Sequence, residues 1–232
     1  MIDTLIVQQS LLQGLVFIGV GALVALFLSR RFFRFRRVNP LVEIAKKLEF
    51  TLMEDHDYVL EHNLRDFFLL GRGRVAPRLF YVLSCRNGGL HRKIFDYNGT
   101  AYAFRVLRFL FQTMCFVEAD GRKFMDFIIV PKTLYWRLRS LFSQDIFIRE
   151  GISEEFLRHY FLIVKKDQPM PKFQQDFFKS FLALGKPYSL ETHGNRFIFY
   201  RHGVVIPVRC FEEFYKDFKL MSEALEHYEI QA

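Results

Sequence analysis

Chemistry in this chain would have to come from its seven histidines, three cysteines and scattered carboxylates, so their spacing is the first thing to test. His56, His62, His91, His159, His193, His202 and His227 form no H-E-x-x-H or comparable ligand pattern. His193 and His202 flank the last predicted hairpin and could meet across it as metal ligands; a solvated turn histidine is the plainer expectation. Asp96 stands between Phe95 and Tyr97 on a central predicted strand, where it is either a buried acid or a strand-face carboxylate paired with an arginine. Gly71-Arg72-Gly73-Arg74 has the composition of a phosphate-binding glycine loop. No strand signal precedes it, however, and Pro77 falls where a helix should continue, so it reads as a basic loop. No G-x-S-x-G, Walker or Rossmann fingerprint occurs. Cys85, Cys115 and Cys210 are odd in number and lack C-x-x-C spacing, which suits a reducing compartment and argues against a disulfide framework or zinc site. On these grounds no residue is assigned a catalytic, cofactor-binding or metal-ligating role, and no cofactor is expected.

The most informative stretch is apolar. Leu11–Leu28 has Gln13 as its only polar side chain, and no charge occurs between Asp3 and Arg30. About 20 helical residues, at roughly 1.5 Å each, cross the hydrocarbon core of a bilayer, so this run with its flanks is long enough. A cleavable signal peptide would carry positive charge before the run and a small-residue site after it; here the charge follows and no A-x-A site is evident. The reading is an uncleaved transmembrane helix within residues 1–29. The positive flank stays in the cytoplasm, so the N-terminus is expected outside and the remainder of the chain in the cytoplasm. Gly21, Ala25 and Ser29 fall four apart on one helix face, a spacing that lets membrane helices pack closely. Arg30, Arg31, Phe32, Phe33, Arg34, Phe35, Arg36 and Arg37 follow in a basic juxtamembrane linker, residues 30–40. Its arginines would attract anionic headgroups and its rings would enter the interface.

Residues 41–232 read as a single α+β domain, with possible halves 41–143 and 144–232. Half of the chain is hydrophobic and a quarter charged, which suits a packed domain and excludes a disordered one. Asn39-Pro40 reads as a helix start, and Tyr58–Leu70 as a second helix. A β region follows, with turn signals at Asn87-Gly88, Asn98-Gly99 and Asp120-Gly121 separating four strands, the last at Lys123–Val130; turns this short predict an antiparallel meander. Pro131 opens a predicted helix with Leu134, Leu138, Leu141 and Phe142 inward. After it come a short strand at Asp145–Arg149, a helix capped by Ser153, and a strand at Tyr160–Val164. A helix over Pro171–Leu184 and a hairpin turning at Gly194-Asn195 lead to a last helix whose Phe211, Phe214, Tyr215, Phe218, Met221, Ser222 and Leu225 share a face.

Phe95-Asp96-Tyr97 carries a resemblance. The chain resembles a group of bacterial proteins with one N-terminal membrane anchor, a short helix after it, an F-D-Y strand, a later T-V-like strand, a phenylalanine-and-proline segment and an alternating C-terminal part. These features map to Pro40–Leu48, Phe95–Tyr97, Gln112-Thr113, Asp126–Pro131 and Asp145–Leu225, with Met114 where valine is usual. The resemblance implies a bacterial inner-membrane protein and no particular activity.

The partners expected are a bilayer with anionic headgroups and a membrane protein, with a homo-oligomer as a further outcome of the small-residue face. Residues 67–149 hold fourteen basic and five acidic residues among many aromatics, a composition that also suits nucleic acid, though no nucleic-acid motif occurs. The expectation is a membrane-anchored cytoplasmic interaction domain, an accessory or assembly subunit of a membrane complex. The alternatives are a tethered enzyme of unrecognised type, or binding of nucleic acid or anionic lipid through the basic middle stretch.

Overall fold

The computed structural model describes residues 37–53, 57–70, 77–103, 106–133, 146–148, 151–164 and 175–226. The expected transmembrane run, Gly21, Ala25, Ser29 and the linker from Arg30 to Arg36 lie outside these residues, as do the loop Gly71–Arg74 and the helix predicted after Pro131. The described part of α1 covers 37–47, all helical. Asn39 and Pro40 therefore lie within that helix and do not start it. By their contacts, Met1–Glu43 and Ile44–Ala232 are two separate compact units, and the sheet with its covering helices belongs to the second.

Among the described residues of that unit, nine strands form one sheet in the order β1-β2-β3-β4-β9-β8-β5-β7-β6. They are β1 (Thr51–Leu52), β2 (Arg78–Asn87), β3 (Leu90–Ala103), β4 (Val106–Ala119), β5 (Phe127–Pro131), β6 (Ile146–Ile148), β7 (Tyr160–Val164), β8 (Tyr188–His193) and β9 (Arg196–Arg201). Every neighbouring pair is antiparallel. The helices are α2 (Tyr58–Leu64), α3 (Glu154–His159), α4 (Gln175–Ala183) and α5 (Phe211–Glu226). The α+β class is thus the observed one.

Two expectations about the strands are corrected. The predicted meander stops after β4, because the β8–β9 hairpin inserts between β4 and β5: Cys115 pairs with Phe199, and Ile128 with Glu191. Asn98-Gly99 is not a turn. β3 runs straight through it to Ala103, with Gly99 opposite Leu110. Glycine is required there for another reason: a Cβ would lie 2.3 Å from the Tyr97 hydroxyl, because the tyrosine ring folds over the glycine. The turn between β2 and β3 falls on Gly88 and Gly89, whose φ values of 59° and 76° suit a two-residue hairpin.

Alternation along the strands divides the core into two faces. On one face, Leu60, Leu64 and Phe67 pack over Phe95, Tyr97, Met114, Phe116, Ile198 and Tyr200. On the other, Phe197 and Phe199 meet Phe214 and Phe218 of α5, with centroids 6.0–6.2 Å apart. Further along that second face, Phe127 meets Phe177 of α4, and Phe156 of α3 packs against Phe178 and Phe181. Ser153 caps α3 as its position before Glu154 and Glu155 predicts, accepting from the Phe156 amide at 3.2 Å.

α2 ends at Leu64, six residues short of the predicted stop. Its cap is Asp57, which accepts from the Leu60 amide at 2.9 Å. Beyond Leu64 the chain continues in turns, and the amides of Phe68 and Leu69 bond the Glu191 carboxylate on β8. Those donors are withdrawn from a helical ladder by a partner 122–123 residues away in sequence.

Candidate functional site

The turns after α2 lie over β8 and β5, and beside them opens a small cleft with room for about one water. Phe68, Ile128 and Ile163 form its apolar wall; Asp126, Glu191 and His193 supply its polar groups. His193 ends β8 immediately before the Gly194-Asn195 turn, and Asp126 precedes β5. Their strands are brought together by the β5–β8 pairing. His193 Nδ1 lies 2.9 Å from Asp126 Oδ2, and Asp126 Oδ1 accepts from the Gly194 amide at 2.8 Å. The carboxylate thereby orients the ring and fastens the turn. Thr192 Oγ1 donates to the Met125 carbonyl at 2.5 Å and accepts from the Phe127 amide at 2.9 Å.

An imidazole aligned by a carboxylate is half of a general-base device; the other half is a nucleophile or substrate proton within reach. Among the described residues, no hydroxyl or thiol bonds to the His193 ring. Glu191 does not complete such a set either. It is buried, and its two oxygens accept from the Phe68 amide and, at 3.0 Å, from the Leu69 amide. A buried carboxylate held by backbone donors fixes structure, because removing those bonds would leave charge and amides unsatisfied.

His193 and His202 do not meet. The β8–β9 hairpin pairs His193 with Arg196 at the turn and Tyr188 with Arg201 at the far end, so His202 lies beyond the opposite end. Five residue steps of strand put roughly 17 Å between those ends. Among the described residues, no group of three or more His, Cys, Asp or Glu side chains could hold a metal ion. The three cysteines are free thiols, and burial pushes that of Cys115 well above its ordinary range.

Asp96 proves to be a buried carboxylate. It accepts from Thr113 Oγ1 at 2.6 Å across the β3–β4 ladder, and the same hydroxyl oxygen accepts from the Ile206 amide at 2.9 Å. The neighbouring Gln112 takes the Gly203 amide at 2.9 Å. The F-D-Y strand and the Gln112-Thr113 pair, which the sequence linked only by resemblance, therefore meet at one place and hold the chain leaving β9.

Two further polar pairs escaped the sequence reading. Ser84 Oγ lies 2.9 Å from His91 Nε2 across the β2–β3 hairpin. Burial and the Lys93 charge lower the His91 pKa, with Glu118 opposing, so the neutral ring is favoured. Lys93 bonds Asp57 at 2.5 Å, and both side chains are buried. The signal for the first pair was present, since Ser84 and His91 flank the Gly88-Gly89 turn; the second joins a strand to a helix cap and has no sequence signature.

Of the membrane-interface residues expected from sequence, the structure describes only Arg37. No helix of the described residues is long and apolar enough to cross a membrane. No protein-family model, curated protein or solved structure matches the chain.

Proposed function

We propose that the chain is a membrane-anchored interaction domain, an accessory or assembly subunit of a bacterial inner-membrane complex. The carrying observation is the charge-free run Leu11–Leu28 followed at once by Arg30, Arg31, Arg34, Arg36 and Arg37. Gly21, Ala25 and Ser29 offer a face for a second membrane helix, and the arginines with Phe32, Phe33 and Phe35 suit an anionic interface. The polar groups of the domain support interaction over catalysis: Asp57, Asp96, Asp126 and Glu191 each bond a group on another element.

Two measurements test the reading. A cysteine introduced near residue 4 should react with an impermeant thiol reagent in intact cells, and one near residue 230 should not; the reverse pattern overturns the cytoplasmic assignment. Purification of the full chain in mild detergent should then recover a stoichiometric membrane partner. A monomer carrying a bound metabolite would refute the interaction reading and favour an enzyme.

A further inference from the structure

The β3–β4 ribbon outruns the sheet that carries it. β2 pairs with β3 as far as Arg78 opposite Asn98, and β9 pairs with β4 from Met114 to Glu118. Beyond those limits Gly99–Ala103 and Val106–Leu110 pair with each other and, among the described residues, with no further strand. Five such residue pairs extend roughly 15 Å. A two-stranded hairpin is marginal in water unless a surface supports it.

The composition of the ribbon says what that surface is. No acidic residue occurs between Asp96 and Glu118, while the two strands include Tyr102, Leu107, Arg108, Phe109 and Phe111. At the base of the ribbon Phe111 is 45% exposed, an unusual state for phenylalanine on a strand. The Phe80 ring stands edge-on to it at 6.4 Å and also contacts Tyr81, and Arg78 beside them is exposed. Aromatic rings with arginine and no acid are the composition of segments that lie in a headgroup layer.

We propose that the β3–β4 ribbon is a second membrane contact, seated through Phe111 and Phe80 on the anionic bilayer that holds the anchor. The inference rests on the reading of Leu11–Leu28 as a transmembrane helix. Residues 29–36 separate that run from the first described helix, and eight residues reach at most about 28 Å. A tether this short keeps lipid at a high effective concentration for any surface of the domain that can use it. Arg78, exposed beside the two rings, supplies a charge complementarity that a neutral protein groove would not require.

The test uses the full chain in nanodiscs of phosphatidylglycerol and phosphatidylcholine. Phe111→Cys is labelled with an environment-sensitive fluorophore in a Cys85→Ser, Cys210→Ser background; Cys115 is fully buried and escapes the label. Leu220→Cys on exposed α5 surface is the comparison position. Lipids carrying a quencher in the acyl chain should quench the label at 111 about threefold more than the label at 220, and replacing phosphatidylglycerol by phosphatidylcholine should weaken the difference. Equal quenching at both positions in a chain that stays in the disc overturns the ribbon contact and leaves the anchor standing. A chain that separates from the disc overturns both. Equal quenching with emission at 111 that changes with chain concentration overturns the lipid contact and assigns the face to a second copy.

Discussion

Truncation of Phe218 tests whether α5 closes the core or is held in reserve for a partner. The ring is fully buried, and its centroid lies 5.9 Å from Tyr215, 6.1 Å from Phe197 and 6.2 Å from Phe199. Phe218→Ala removes the ring from a site walled by three others on the sheet and the helix itself, so collapse around the void is limited. The expected loss is about 3–5 kcal/mol. For a chain of this size about 1 kcal/mol moves the midpoint by about 2–4 °C, which predicts a fall of about 6–20 °C. Phe214→Ala should cost a similar amount, since Phe214 meets Tyr188 at 6.1 Å and Phe199 at 6.0 Å. The two variants share Phe199, so the double substitution should depart from additivity by about 0.5–3 kcal/mol. Leu220→Ala on the exposed side of the same helix should stay within about 0.5 kcal/mol. Thermal circular dichroism of the full chain in detergent reads all four. A Phe218→Ala midpoint within about 2 °C of wild type, together with loss of a co-purifying partner, would refute burial against the sheet.

The polar ties give further perturbations. Glu191→Gln removes one of two acceptors for the Phe68 and Leu69 amides, and should cost about 1–3 kcal/mol with faster hydrogen exchange at one of them; unchanged exchange at both would show that the carboxylate does not hold that turn. Lys93→Met should cost about 3–5 kcal/mol, because Asp57 is left buried without its ammonium partner, and Asp57→Asn in the same chain should restore part of it; no recovery in urea titrations would mean the pair is not coupled. His91 gives a pH signature. Its folded pKa is lowered by burial and by Lys93, so below its ordinary value of 6.5 the unfolded chain takes up a proton that the folded chain refuses. Stability contributed by His91 is therefore present above that pH and declines as pH falls from it toward the lowered folded value. His91→Gln should flatten this part of the profile, and an unchanged slope of stability against pH would place the titration elsewhere.

How much of the fold was legible depends on the range over which each residue acts. Ser153 before two glutamates specified α3, the Gly194-Asn195 turn specified β8 and β9, and the spacing from Phe211 to Leu225 specified the buried face of α5; each is settled within a few turns of chain. The Asn98-Gly99 signal failed because glycine has two uses, turning a chain and admitting a ring, and only the position of Tyr97 separates them. The end of α2 failed because Glu191 competes for the Phe68 and Leu69 amides from the far part of the chain. The insertion of β8–β9 between β4 and β5 was likewise invisible, since short turns fix which strands are sequential neighbours in a hairpin and say nothing of a later hairpin entering the sheet. Of the candidate site, the sequence singled out His193 as a turn residue that could meet His202; its partner Asp126 was read only as lying within the predicted strand Lys123–Val130 and opening the phenylalanine-and-proline segment.

The carboxylates connect these points to function. Asp57, Asp96, Asp126 and Glu191 bond Lys93, Thr113, His193 and Leu69, partners 36, 17, 67 and 122 residues away. Burying such groups is unfavourable unless they are bonded, so each tie fixes one arrangement of elements that apolar packing alone would leave less determined. Groups engaged in this way are poor candidates for direct recognition, since a ligand would have to break a bond that holds the sheet or its covering turns. Under the proposed interaction role, recognition would fall to surfaces whose apolar side chains remain in water. Tyr58 and Val59 at the start of α2 and Phe111 at the base of the ribbon are the large exposed cases among the described strands and helices besides Leu220. Of these, only Phe111 joins a run of chain without acidic residues and an arginine-bearing ribbon that extends past the sheet. A tied interior with an apolar, basic projection is the arrangement that the proposed membrane contact requires.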